Sequence, residues 1–141
     1  MELTIEQALQ RALQAHKVGR LQDAEALYRA ILQAQPKHPD ANHNLGVLAV
    51  SLNKSELALP LFKTALEANP SQGQFWLSYV DALIKTNQLE IAKSVLGQGK
   101  KMGLGGGLLI AIVNFVSEKL MTIAVLRRQP SLQSTLFSFP A

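Results

Sequence analysis

The chain has 141 residues, 48% of them hydrophobic, a size and composition that fit a single domain able to bury a core. It contains no cysteine, which excludes a disulfide framework and a thiolate metal site. Residues 1–99 carry nine basic and nine acidic side chains, so the net charge of +4 arises in residues 100–141; without a basic stripe along the folded part, we expect no nucleic-acid partner.

The first residues of the chain show no targeting signal. They include Glu2 and Glu6 and lack a basic stretch followed by an apolar run, which is the pattern of a signal peptide. The absence of cysteine is also compatible with a reducing compartment. We therefore expect a cytoplasmic location.

A pattern in residues 23–36 returns without gaps in residues 57–70. Four positions keep their character at this fixed spacing: Ala24, Tyr28, Leu32 and Pro36 reappear as Ala58, Phe62, Leu66 and Pro70. A small residue lets two helices approach closely, and an aromatic residue four positions later lies on the same helical face. Proline ends such a helix because it removes a backbone donor and restricts the residue before it. The pattern predicts helix-turn-helix repeats.

With these residues the chain resembles the tetratricopeptide repeat (TPR) family, whose unit is about 34 residues in two antiparallel helices. The middle unit matches best, with Leu45-Gly46 in its first helix and Asn53 at its turn. The resemblance implies an all-α superhelical solenoid of about three repeats plus a C-terminal helix. It divides the chain into a degenerate first repeat (5–38), a second repeat (39–72), a degenerate third repeat (73–106), a C-terminal apolar helix (107–128) and a loosely ordered tail (129–141).

The outer two repeats depart from the family pattern. The first keeps Gly19 at the turn but has Arg11-Ala12 where the pattern has Leu-Gly. The third has Trp76 at the family's tryptophan position and Asn87 at the turn, with Leu96 and Leu104 in place of the closing aromatic residue and proline. Terminal repeats are often atypical, so we interpret both as members of the stack. The aromatic residues Phe75, Trp76 and Tyr79 are expected in the core between repeats.

The segment after the third repeat admits several interpretations. A glycine-rich stretch, 103–107, precedes an apolar run, 108–126. This run could cap the open end of the stack, provide a surface for self-association or a partner, or be a segment never selected to cap it. A membrane span is disfavoured because Glu118 and Lys119 would lie in its middle, at a cost of roughly 2.5–3.5 kcal/mol each.

Catalytic chemistry finds little support in the sequence, and we expect no enzyme, no cofactor and no metal. The three histidines, His16, His38 and His43, are not spaced to bind a metal from one helical face. We expect His38, in a turn, and His43, on the groove side of a first helix, to be ordinary solvated side chains. The glycine-rich stretch follows a predicted helix, whereas phosphate-binding loops follow a strand. No nucleophile, base and orienting group occur in a recognisable set.

The TPR resemblance implies recognition in a concave groove lined by the first helix of each repeat. The predicted peptide-binding residues are His43, Asn44, Val47, Ser51, Gln74, Leu77, Ser78, Asp81 and Lys85, flanked by Asp40 and by Leu9, Gln10, Leu13 and His16 of the first repeat. In the carboxylate-clamp co-chaperones of this family, five groove positions bind terminal carboxylates. Those positions hold Leu9, Leu13, Asn44, Gln74 and Ser78 here, and only Asn44 matches. The resemblance therefore predicts no carboxylate clamp.

Asn44 also occupies the position of the asparagine ladder that grips peptide backbones in the O-linked N-acetylglucosamine transferase. Gln10 and Ser78 occupy the neighbouring positions, so a peptide contact and a plain surface residue both stay open. The main functional prediction is a non-catalytic scaffold that binds a protein or peptide partner.

Two alternatives accompany this prediction. Residues 59–85 resemble the repeats of large bacterial TPR proteins that continue into glycosyltransferase or sulfotransferase domains, which implies a substrate-presenting module or a truncated relative. The apolar tail has basic residues at both ends, so it could also hold a membrane-peripheral scaffold on anionic lipid. These residues are Lys100, Lys101, Arg127 and Arg128.

Overall fold

The computed structural model describes residues 2–103 and 106–128, and these residues form seven α-helices. The helices are α1 (Ile5–Lys17), α2 (Leu21–Ala34), α3 (Pro39–Ser51), α4 (Ser55–Ala68), α5 (Gly73–Lys85), α6 (Leu89–Lys101) and α7 (Gly106–Arg128). The chain divides into two compact units, residues 1–104 with α1 to α6 and residues 105–141 with α7. The all-α fold class predicted from the sequence is confirmed.

The six helices of the first unit form three antiparallel pairs that stack in chain order. Each helix packs on the next one, and α3 also contacts both α1 and α5. Within residues 2–103, the backbones of the second helices α2, α4 and α6 do not approach one another closely. Because the first helices approach one another across pairs and the second helices do not, the stack curves towards the first helices, and α1, α3 and α5 line its concave side.

The turn inside each pair is set by one residue with a left-handed backbone. Gly19, Asn53 and Asn87 occupy equivalent positions of the three repeats and have φ of 82°, 59° and 61°. Glycine and asparagine tolerate this conformation best. After each of them the next amide donates back into the first helix over 2.8 Å: Arg20 to Ala15, Lys54 to Ala49 and Gln88 to Leu83. All three repeats therefore turn with the same geometry.

The second pair packs its helices through contact between Gly46 and Phe62. Gly46 is buried, and a Cβ atom placed there would lie 2.5–3.0 Å from three atoms of the Phe62 ring. No side chain fits at this distance without displacing the ring. The Leu-Gly sequence thus serves close approach between α3 and α4.

The other two pairs hold different residues at the same two repeat positions. The first has Ala12 with Tyr28, and the third has Val80 with Leu96. Ala12, Tyr28 and Val80 are almost completely buried. Compared with the second pair, the third has a larger residue on its first helix and a smaller residue on its second, at the position where the aromatic residue is missing.

Three apolar clusters join neighbouring repeats. The first contains Ala12, Ala15, Ala24, Tyr28, Leu45 and Leu48, the second contains Ala49, Ala58, Phe62 and Ala82, and the third contains Ala8, Ile31 and Ala41. Each takes residues from two successive repeats. Their alanines allow the backbones to approach, so each repeat completes its core only against a neighbour.

Hydrogen bonds at equivalent positions link each repeat to the proline that ends the previous one. Asn42 Nδ2 donates to the carbonyl oxygens of Pro36, at 3.1 Å, and His38, at 2.9 Å. Trp76, at the equivalent position of the next repeat, donates from Nε1 to the Pro70 carbonyl over 2.7 Å. Both side chains are buried, so these bonds satisfy polar groups that water does not reach.

The second unit is described for α7 alone. Within this helix the Thr122 hydroxyl donates to the Glu118 carbonyl over 2.9 Å, and Lys119 Nζ lies 5.5 Å from the centre of the Phe115 ring. No helix in residues 2–103 or 106–128 combines the length and the apolar character of a membrane span. The predicted tail at 129–141 lies outside the described residues.

Candidate functional site

The nine predicted peptide-binding residues all lie on α3 and α5, the two adjacent first helices of the second and third repeats. The structure brings three of them together. His43 Nε2 lies 2.8 Å from Ser78 Oγ, and Gln74 Nε2 donates to the same oxygen over 3.4 Å. This chain of hydrogen bonds connects α3 and α5 along the concave side.

The expectation that His43 is an ordinary solvated side chain was wrong. The residue is only 8% exposed, and its ring stacks on Phe75 with centroids 4.7 Å apart and planes inclined by 30°. The Phe62 ring lies 5.6 Å away on a different helix. His43 is therefore a packing residue between the second and third repeats whose polar edge reaches Ser78.

Burial changes the protonation of His43. Loss of hydration lowers its pKa below the ordinary value of 6.5, and the Asp40 carboxylate opposes this shift in part. The ring is thus neutral at pH 7. In the tautomer that carries its proton on Nδ1, Nε2 accepts a hydrogen bond from the Ser78 hydroxyl, and in the other tautomer Nε2 donates to it.

The other two histidines also form hydrogen bonds in the structure. His16 is partly buried, and its Nδ1 lies 3.3 Å from the hydroxyl of Tyr28. Burial raises the pKa of Tyr28 to about 12. His38 immediately precedes α3, where its Nδ1 accepts a hydrogen bond from the Ala41 amide over 3.2 Å. Both side chains therefore have local structural partners.

Asn44 uses its donor within its own helix. Its Nδ2 donates to the Asp40 carbonyl over 2.8 Å, and its side chain is partly exposed. The side-chain oxygen and the second N–H of the amide are then available to a ligand, because a primary amide has two donors and one acceptor oxygen. In the same way, the Ser51 hydroxyl donates to the Leu48 carbonyl over 2.7 Å.

The charged residues of the predicted site neutralise each other. Lys85 Nζ lies 2.7 Å from Asp81 Oδ2, with the two side chains 49% and 31% exposed. Val47 and Leu77 are partly buried, and Val47 packs on the cluster around Phe62. The site on α3 and α5 therefore combines two apolar side chains, amide and hydroxyl groups, and one paired lysine.

In the first repeat, the flanking candidates fall into two groups. Leu9 is partly buried and packs against both the Tyr28 cluster and a cluster around Ile31. Gln10 and Leu13 are exposed, and Leu13 leaves 41% of its surface accessible. Of these three residues, only Gln10 and Leu13 are exposed to a ligand.

Sequence reasoning missed a pocket of about 530 Å³ that is lined by residues of α4, α5 and α6. Its walls include Leu66, Pro70, Trp76, Tyr79, Val95 and Met102. The signal was present in the aromatic residues of the third repeat, which were assigned to the core. Trp76 is indeed buried, whereas Tyr79 is only partly so. In the part of the chain that the structure describes, no group of His, Cys, Asp and Glu side chains is arranged to hold a metal ion.

Comparison with known structures identifies the fold. The first TPR domain of human RPAP3 is 18% identical, with a TM-score of 0.70 and coverage of 84% of this chain and 93% of that one. A further RPAP3 structure contains the HSP90 peptide SRMEEVD. The Sgt2 TPR domain from Aspergillus fumigatus is 16% identical, with a TM-score of 0.71 and coverage of 85% and 81%. The translocator chaperone SycD of Yersinia enterocolitica type III secretion is 17% identical, with a TM-score of 0.70 and 90% coverage of both chains.

The sequence comparison adds the family. No curated protein matches the chain. The family model described as tetratricopeptide repeat matches residues 9–53 and 43–92, a span that runs from α1 into α6. Together with the three helix pairs and their common turn, this match shows that the chain belongs to the tetratricopeptide repeat family.

Proposed function

We propose that this protein is a non-catalytic scaffold that binds a protein or peptide segment on the concave side of α3 and α5. The observation that carries this proposal is the mixture of apolar and polar side chains on this surface. Partly buried Val47 and Leu77 lie on the same two helices as the Asn44 amide and the Gln74–Ser78 hydrogen bond. Apolar contact combined with a few fixed polar groups is the usual composition of a ligand site.

The charge of this surface favours an uncharged segment. The lysine on the concave side of α5, Lys85, is paired with Asp81, and the five clamp positions hold no basic residue. A terminal carboxylate loses its water on binding and needs cationic donors in exchange. The acidic peptide SRMEEVD in the RPAP3 structure is therefore a poor guide to the ligand of this chain. We expect an extended segment recognised through its backbone and small or apolar side chains.

The resemblance to the repeats of bacterial transferases concerns the same surface. A substrate-presenting module would use α3 and α5 to hold a polypeptide for a transferase partner. This more specific prediction requires that a glycosyltransferase or sulfotransferase be recovered with the protein. The membrane-peripheral alternative requires that the full chain sediment with anionic vesicles.

The experiment compares full-length wild type with the double variant Asn44→Ala, Asp81→Ala in affinity capture from native extract. Partners are identified by mass spectrometry, and the interacting segment of each is then titrated calorimetrically. The matched control is Gln33→Ala, Glu56→Ala, which changes two exposed residues on the second helices α2 and α4. We expect the first variant alone to lose binding while its circular dichroism stays native. Equal binding by both variants would contradict the concave site.

A further inference from the structure

The pocket between α4, α5 and α6 lies apart from the proposed peptide site. The backbones of α4 and α6 do not approach closely, and the pocket lies between them, lined also by Trp76 and Tyr79 of α5. Its volume of about 530 Å³ lies within the range of about 300–1,000 Å³ typical of ligand pockets. None of the nine predicted peptide-binding residues lines it.

The aromatic wall of this pocket is specific to the third repeat. At the equivalent positions of the second repeat, the chain has Asn42 for Trp76 and Leu45 for Tyr79. The pocket margin adds Ile91 and Met102, which are 47% and 59% exposed. Large apolar side chains exposed together around a cavity are typical of an interaction site.

The charges around the pocket define the partner further. Lys63 on α4 and Lys101 at the end of α6 both line it, and neither forms an ion pair with any side chain that the structure describes. The one carboxylate of the lining is Glu67. Burial, and secondarily the charge of Glu67, raise the pKa of Tyr79, so the Tyr79 hydroxyl is a neutral donor at physiological pH. The pocket therefore combines an aromatic wall with two available ammonium groups.

We propose that this pocket is a second docking surface, for a partner protein segment that inserts an aromatic side chain next to a carboxylate. The aromatic ring would pack against Trp76, Val95 and Met102, while the adjacent carboxylate would bind Lys63 and Lys101. An acidic residue satisfies both lysines better than a neutral one, because the pocket offers more positive than negative charge. This surface does not depend on binding at α3 and α5.

The test uses anilinonaphthalene sulfonate, a dye that combines aromatic rings with an anionic sulfonate, and its uncharged analogue N-phenylnaphthylamine. Trp76 is the only tryptophan of the chain and lines the pocket, so energy transfer from tryptophan detects dye bound near it, and the Gln98→Phe variant assigns this signal to the pocket. We expect the anionic dye to quench Trp76 and to bind the full-length protein at least about threefold more tightly than the uncharged dye. Equal affinity for the two dyes would overturn the assignment of an anionic ligand.

Two variants with matched controls separate the apolar and the ionic contributions. Gln98→Phe fills the pocket from its exposed margin and should abolish energy transfer with both dyes, whereas Gln22→Phe on exposed α2 surface should leave it unchanged. The double variant Lys63→Gln, Lys101→Gln should weaken only the anionic dye, by about fivefold, since each exposed ionic contact is worth roughly 0.2–1 kcal/mol. Lys100→Gln removes a neighbouring charge outside the lining and should have no effect. Unaltered dye binding in Gln98→Phe would refute the pocket as the site.

The final arm uses peptides, because a dye alone does not establish a protein ligand. The capped peptide Ser-Glu-Phe-Glu-Ser should displace the anionic dye, and Ser-Lys-Phe-Lys-Ser should not. Displacement by both or by neither peptide would overturn the proposal of an acidic aromatic segment. The Asn44→Ala, Asp81→Ala variant should retain full dye binding, so loss of the α3–α5 site and loss of this pocket give different results.

Discussion

The second and third repeats solve the same packing problem with opposite choices of residue size. In the second, Gly46 brings α3 close enough for the ring of Phe62 to fill the space. In the third, the equivalent residues are Val80 and Leu96, and Leu96 is left partly buried. The two pairs share one turn geometry, with Asn53 and Asn87 both left-handed. The two repeats therefore keep the same turn geometry, while side-chain volume moves from the second helix to the first.

The largest effect is expected when the second repeat receives the valine of the third. Gly46→Val should lower the free energy of unfolding by about 3 kcal/mol, because the new side chain meets the Phe62 ring. In the double variant with Phe62→Leu, the loss of unfolding free energy should be at least about 1 kcal/mol smaller than the sum of the two single losses, since the two residues share one space. Urea denaturation of the four proteins in the cycle measures this coupling.

Gly97→Val is the matched control, because Gly97 is an exposed helical glycine with no atom within 4 Å of an added Cβ. We expect it to change stability by less than about 0.5 kcal/mol. If the losses caused by Gly46→Val and Phe62→Leu simply add in the double variant, the two side chains do not share one space, which would contradict the exchange of volume between the helices.

A somewhat smaller effect is expected from the buried donor at the start of the second repeat. Asn42→Leu leaves the carbonyls of Pro36 and His38 without their side-chain donor and should cost about 1–3 kcal/mol. The control Asn44→Leu removes one bond within an exposed part of the same helix and should cost less than about 0.5 kcal/mol. Thermal unfolding of both variants decides whether the link between repeats stabilises the stack; equal losses would argue against it.

The next difference concerns protonation, because His43 is replaced by Leu77 at the equivalent position of the third repeat. The pKa of His43 is lowered in the folded protein, so below pH 6.5 the histidine becomes protonated in the unfolded chain while it stays neutral in the folded one. This contribution to stability is complete above pH 6.5 and is lost as the pH falls through the folded pKa. His43→Leu should therefore flatten the dependence of stability on pH between pH 6.5 and the folded pKa.

Urea midpoints measured across this pH range test the expectation. His38→Leu serves as the control because His38 lies at the start of α3, outside the contact between His43 and Phe75. An unchanged slope in His43→Leu would mean that other groups determine the acid sensitivity.

The smallest effect is expected at the ion pair between Asp81 and Lys85, which the second repeat replaces by Val47 and Ser51. Asp81→Asn should cost only about 0.3–0.5 kcal/mol, because both side chains are partly solvated and lie four residues apart on one helix. Denaturation at low and high salt should show that this small loss disappears with screening. A loss above about 1 kcal/mol would show that the pair also stabilises the packing of α5.

The sequence was sufficient for features that depend on spacing within one repeat. The repeat period predicted the helix pairs, and the turn residues Gly19, Asn53 and Asn87 named from the pattern all have positive φ. It was insufficient for features that depend on two repeats at once. The burial of His43 depends on Phe75 and Ser78, which belong to the next repeat. The pocket depends on the gap between α4 and α6, which no periodicity reveals.

The contacts of the first unit also bear on how quickly it folds. Every helix contact within residues 2–103 joins helices that are consecutive or one apart in the chain. No long loop must close before these contacts form, so the entropy lost in reaching the folding transition state is small. Folding can begin at any one pair and extend to its neighbours, which predicts rapid folding and early collapse around the second repeat, where α3 meets α1, α2, α4 and α5.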